Sequence, residues 1–103
     1  MIRHTVVFTL KHQPDSTEET EFLEKAAKLE RINVVNKFEI LRQVSAKNSF
    51  QFGLSMEFSS QTEYDYYNEH PDHLAFVEQV WLKEVEDFME IDYKVLDLTD
   101  REN

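Results

Sequence analysis

Between residues 50 and 58 every second side chain is large and apolar, with Phe50, Phe52, Leu54, Met56 and Phe58 alternating with Gln51, Gly53, Ser55 and Glu57. Successive side chains of a strand point to opposite sides, so this run reads as a strand with one buried and one polar face. A sheet built from such strands needs a cover on its apolar side only, which points to an antiparallel sheet backed by helices. The opening residues repeat the pattern. Ile2, His4, Val6, Phe8 and Leu10 take the even positions and Arg3, Thr5, Thr9 and Lys11 most of the odd ones, with Val7 the exception.

The cover is legible next. Ser16-Thr17-Glu18-Glu19 has the spacing of a capping box, in which the serine hydroxyl accepts from the third residue on and the glutamate returns the bond. Behind it Phe22, Leu23, Ala26, Ala27, Leu29 and Ile32 form one helical stripe, with Glu18, Glu19 and Glu21 early and Lys25, Lys28 and Arg31 late, as the helix dipole prefers. A second strand is predicted over 38–44, ended by the polar turn 45–49. Ser60-Gln61-Thr62-Glu63 repeats the box and opens a short helix through Tyr64 and Tyr67, broken at His70-Pro71 because a residue before proline avoids helical geometry. From Pro71 the three- and four-residue steps of Leu74, Val77, Trp81, Val85 and Phe88 predict a longer helix reaching Phe88. Met89, Ile91, Tyr93 and Val95 then alternate with Glu90, Asp92 and Lys94 as a last strand.

The order strand, helix, strand, strand, helix, strand defines the fold class as α+β, ferredoxin-like βαββαβ, a four-stranded antiparallel sheet with helices on one face. At 103 residues, 41% of them hydrophobic and including eight Phe, four Tyr and one Trp, the chain has material for one core. We expect a single domain over 1–97 and a frayed tail over 98–103. Asp and Glu outnumber Lys and Arg by 21 to 11, and the resulting charge of −10 opposes binding to nucleic acid or anionic membranes. With no cysteine there is no thiolate chemistry, and a single glycine does not make a phosphate-cradling loop. Without a signal-peptide pattern at the N-terminus or a membrane-length apolar run, a cytoplasmic location is expected.

Four stretches carry a family likeness: Ile2-Arg3-His4-Thr5-Val6-Val7-Phe8, Met56-Glu57-Phe58, Tyr67-Asn68-Glu69-His70-Pro71-Asp72-His73 and Ile91-Asp92-Tyr93. Through them the chain resembles the stress-responsive A/B barrel, or Dabb, family of the dimeric α+β barrel superfamily. The resemblance implies a homodimer whose two sheets face each other, with a pocket in each subunit between sheet and helices. A plant polyketide cyclase of the family works without a cofactor, using a tyrosine and a histidine as acid and base. Motif by motif these match Tyr67 and His73, and a first-strand pocket histidine matches His4. Phe52 stands where that enzyme has a further histidine, and Asn68 and Glu69 are more polar than its equivalents, so polyketide cyclisation itself does not carry over.

On this reading His4, Tyr67 and His73 are the catalytic candidates, and Val6, Phe8, Phe22, Leu54, Met56 and Trp81 line the pocket. His4 shares the strand face of Val6 and Phe8 and should point toward the core, where a hydrogen-bonded structural histidine is the plainer explanation. His73 falls in the first turn of the last helix, whose positive end disfavours imidazolium and leaves a neutral base. The Tyr67 phenol suits donation to a carbonyl oxygen that gains charge. His70 and His73 with Glu69 also suggest a metal, but Pro71 intervenes and the geometry is poor; no metal and no cofactor is expected. His12 and the acidic residues Glu84, Glu86, Asp87, Glu90 and Asp92 read as solvated surface. The expected ligand is a small, largely apolar carbonyl compound. The alternatives are a non-enzymatic stress-related or structural dimer with a filled core, and a cofactor-free monooxygenase.

Overall fold

The computed structural model describes residues 1–101 of the chain. Four strands, β1 (Ile2–Leu10), β2 (Asn36–Arg42), β3 (Phe52–Phe58) and β4 (Val85–Tyr93), form one antiparallel sheet in the order β2-β3-β1-β4. Helices α1 (Thr17–Ala27) and α2 (Gln61–Glu69) cover one side together with a third stretch made of α3 (Pro71–Phe76), a π-helical turn (Val77–Trp81) and a closing turn, α4 (Leu82–Glu84). No described helix is long and apolar enough to cross a membrane. The expected tail begins with a 3-10 turn, Leu98–Arg101, and positions 102 and 103 lie outside the described residues.

Both capping boxes form, displaced by one residue on the return leg. Ser16 Oγ accepts from the Glu19 amide at 3.2 Å, and Glu19 accepts from the amide of Asp15 at 3.3 Å. Ser60 Oγ accepts from the Glu63 amide at 3.2 Å, and Glu63 accepts from the amide of Ser59, also at 3.2 Å. His70 closes the gap between α2 and α3 as an extended N-cap: its Nδ1 accepts from the Asp72 amide at 3.1 Å, and Pro71 starts the next helix where an N–H has no use.

The even-numbered side of β1 faces the helices, with Ile2, His4, Val6, Phe8 and Leu10 all buried, and β3 presents Phe52, Leu54, Met56 and Phe58 to the same side. Aromatic rings concentrate at the two ends of this layer. At one end Phe8 lies 5.6 Å from Phe22 and 5.1 Å from Trp81, ring centre to ring centre. At the other Phe58 stacks on Tyr64 at 4.9 Å and contacts Tyr67 at 5.0 Å.

The C-terminal third departs from expectation in two ways. The helix predicted to reach Phe88 stops at Glu84, and Val85 to Phe88 already belong to β4, where Leu10 pairs with Val85 and Phe8 with Phe88 across a register shift. Pairing there supplies partners for backbone groups along the whole of β1, which a longer helix would leave open. Phe88 meets Trp81 from the strand, edge-on at 5.5 Å, so the contact implied by the helical spacing survives in another geometry. The second difference is the side that β4 turns inward. Phe88, Glu90 and Asp92 pair with Phe8, Val6 and His4 and therefore face the helices, whereas Met89, Ile91 and Tyr93 lie on the bare side with Val7, Thr5 and Arg3.

Candidate functional site

A cavity of about 210 Å³ opens between the sheet and the helical layer. Its floor is His4 and Val6 of β1 with Leu54 and Met56 of β3; Tyr67 and Asn68 enter from α2, His73 and Phe76 from α3, and Val77, Trp81 and Leu82 from the turns that follow. Leu29 closes one side, and Phe88 and Glu90 of β4 stand at another. The wall is mostly apolar, with a few convergent polar groups, as small-molecule sites usually are.

His73 is held by its own helix entry. Its Nδ1 lies 3.2 Å from the carbonyl oxygen of Asn68, and a carbonyl only accepts, so the proton sits on Nδ1 and Nε2 carries a lone pair. Burial pushes the imidazole below its ordinary value, with repulsion from His4 and His70 adding to it, against the Asn68 bond and the Glu90 charge. The ring is therefore neutral near pH 7, with burial as the largest cause in place of the helix end.

Tyr67 is the ring next to it, 4.4 Å away centre to centre and only 2% exposed. Burial, helped by the Glu90 charge, raises its pKa well above the ordinary phenol value, so the group is a proton-bearing donor and not a phenolate. Among the described residues its hydroxyl has no hydrogen-bond partner, yet no buried side-chain polar atom is left unpaired, which leaves that hydroxyl reachable from the cavity.

His4, 6.3 Å from Tyr67 between ring centres, belongs to a polar knot that joins β1, α2 and β4. Its Nδ1 is 2.6 Å from Asp92 Oδ1 and 2.9 Å from the Tyr64 hydroxyl, which in turn donates to Asp92 Oδ2 at 2.8 Å. Asp92 thus accepts a hydrogen bond from the Nδ1 N–H and fixes the tautomer, in the way a carboxylate orients a working histidine. Desolvation and the Asp92 carboxylate drive the Tyr64 pKa far up. Ligand atoms of His4, Glu90 and Asp92 all lie within 4.8 Å of one another, making these the described residues best placed to hold a cation. His70 and His73 are not brought together in this way, each Nδ1 being bound to backbone.

Of the nine side chains expected at the site, His4, Tyr67, His73, Val6, Leu54, Met56 and Trp81 all border this cavity. Phe8 and Phe22, expected in its wall, are fully buried in the packed end of the core and do not line it. Glu90 and Asp92, expected as solvated surface, and Tyr64, expected only as part of the short helix, are drawn into the site instead: once β4 lies beside β1, the parity that aligns Asp92 with His4 follows from alternation alone. His12 is likewise no free surface group, for its Nε2 is 2.7 Å from Glu84 Oε1 at the end of α4.

A one-sided ferredoxin-like sheet with a polar-tipped pocket beneath its helices defines an α+β small-domain class shared by many proteins. Within it the chain belongs to the Dabb family, the stress-responsive A/B barrel domain, whose model matches residues 2–95. It is similar to a Dabb family protein with a ferredoxin-like fold from Mesorhizobium loti, 57% identical over 93% of this chain and 97% of that one, with a TM-score of 0.92. A dimeric ferredoxin-like protein from Thermobifida fusca matches at 18% identity, 91% and 90% coverage and a TM-score of 0.74. The hydroxynitrile lyase of Passiflora edulis matches at 15% identity, 93% and 94% coverage and a TM-score of 0.80, a likeness of fold alone. Among curated proteins none matches in sequence.

Proposed function

We propose that the protein is a homodimer that binds a small, largely apolar carbonyl compound in the cavity and moves a proton on it without a cofactor. The observation that carries this reading is the pairing of His73 and Tyr67 on one wall: a neutral imidazole whose Nδ1 is tied to Asn68, beside a phenol that stays protonated. Nε2 takes a proton from the carbon next to the carbonyl, the C–H electron pair moves into the enolate, and the Tyr67 hydroxyl donates a hydrogen bond to the oxygen that becomes negative. The cavity, at about 210 Å³, is smaller than the roughly 300–1,000 Å³ of drug-sized sites, which limits the ligand to a compact molecule and argues against a long polyketide chain. An open cavity also weighs against the reading in which the same residues only fill a core.

The dimer rests on the bare side of the sheet. Leu41, Met89, Ile91 and Tyr93 are 36–50% exposed there, an apolar surface that a second copy of the chain would cover. A dimeric protein of the same fold supports it.

The test uses the single tryptophan, Trp81, which borders the cavity. Butyrophenone titrated into the protein should change Trp81 emission saturably, and in heavy water its α-protons should exchange faster than in buffer. His73→Ala should slow the exchange by about 100-fold or more, and Tyr67→Phe by about 100-fold. Emission that never saturates, or exchange indifferent to both substitutions, would remove the reading.

A further inference from the structure

Among the described residues Glu90 is the one carboxylate in the cavity wall, and no lysine or arginine stands there to balance it. Its side chain is half exposed, at 51%, so it stands where the cavity wall meets solvent. Its partners are the Tyr64 hydroxyl, which donates to it at 3.3 Å and to Asp92 more closely at 2.8 Å, and His4 Nδ1 at 3.9 Å. Two residues before it on the same side of β4 is Phe88, and Phe88 meets Trp81 edge-on at 5.5 Å, both rings lining the cavity. A carboxylate in a cavity wall that also carries aromatic rings is a combination that attracts an ammonium group, through charge and through the negative faces of the rings. The net charge of −10 acts in the same direction.

We propose that Glu90, with Trp81 and Phe88 in the same wall, forms an ammonium subsite of the cavity, so that the ligand is an amine-bearing carbonyl compound and not an organic acid. The inference rests on the pocket reading above and adds the charge of the molecule that enters. A carboxylate or phosphate on the ligand would meet Glu90 without any compensating cation. An ammonium group would balance the Glu90 charge while the carbonyl end reaches His73 and Tyr67.

Three ketones of one skeleton separate the charge from the shape: 3-amino-1-phenylpropan-1-one, the neutral butyrophenone and the anionic 3-benzoylpropionate. Titrated by calorimetry at low salt, the amine is expected to bind about tenfold tighter than the neutral ketone, and the acid more weakly than either. Raising the salt should shrink the amine's advantage, and Glu90→Gln should reduce it to about twofold or less, read as the ratio of the two affinities within the same protein. Equal binding of the amine and the neutral ketone to the unmodified protein would overturn the subsite and leave the pocket standing. An advantage that persists unchanged in Glu90→Gln would overturn the assignment to Glu90. No binding of any of the three would overturn both readings together.

Discussion

The contact between His4 and Asp92 lends itself to a quantitative test, because its two ends sit in different surroundings. The His4 side chain is 9% exposed and the Asp92 side chain 37%, with 2.6 Å between Nδ1 and Oδ1. Removing Asp92 therefore strands a buried donor, whereas removing His4 leaves a carboxylate that water and Tyr64 can still satisfy. Hydrogen bonds to charged groups are worth about 1.5–3 kcal/mol, and loss of one partner in a buried place costs more than loss of both. The Tyr64 hydroxyl, 2.9 Å from Nδ1, remains as a substitute acceptor and puts Asp92→Ala at the low end, about 1.5 kcal/mol. For a domain of this size that is a fall of roughly 6–12 °C in Tm. In a His4→Leu background the same Asp92→Ala change should cost under about 0.5 kcal/mol, because the buried imidazole donor is gone and the Tyr64 hydroxyl can turn to Glu90 Oε1, 3.3 Å away. Urea and thermal unfolding of the four proteins at one fixed concentration measure the difference. Equal costs in the two backgrounds would refute the claim that Asp92 acts through the His4 ring.

Four further outcomes are expected of the same molecule. Because burial holds the folded-state pKa of His73 below its ordinary value, stability should be full above about pH 6.5 and fall as the pH drops through the depressed value; His73→Gln should flatten that loss in pH-dependent urea melts. Tyr64 and Tyr67 are raised in the folded state, so their contribution is intact below about pH 10 and is lost as the pH climbs above it; phenolate absorbance should show these two ionising only together with unfolding. Phe22→Ala, at a site with no exposure that does not border the cavity, should cost about 3–5 kcal/mol in unfolding while leaving butyrophenone affinity unchanged in the protein that remains folded. Ile91→Lys, on the bare side of the sheet, should shift light-scattering mass from dimer to monomer, and an unchanged mass would count against that side as the interface.

Much of this molecule could be read from residue order, and the reasons are local. Alternation at Ile2–Leu10 and Phe52–Phe58 reports which side of each strand is buried, since a strand has only two sides and a one-residue slip would bury Arg3 and Glu57 in place of His4 and Met56. Ser16, Ser60 and the His70-Pro71 break mark helix ends because the groups they satisfy lie within four residues. The motif holding Tyr67 and His73 was likewise visible, and one helix break suffices to bring the two rings to 4.4 Å.

What only the tertiary structure decided lies in the last third of the chain and in the polar knot. Val85–Phe88 satisfies a helical spacing and a strand alternation equally well, and the choice fell to the unpaired edge of β1, eighty residues away. That same pairing turned Glu90 and Asp92, plain surface acids by composition, toward His4 and into the site. It also left Met89, Ile91 and Tyr93 on the uncovered side. Side-chain period tells which residues share a side, but not which side meets the helices; that is settled only when a distant strand takes its place beside another and the backbone hydrogen bonds fix the register.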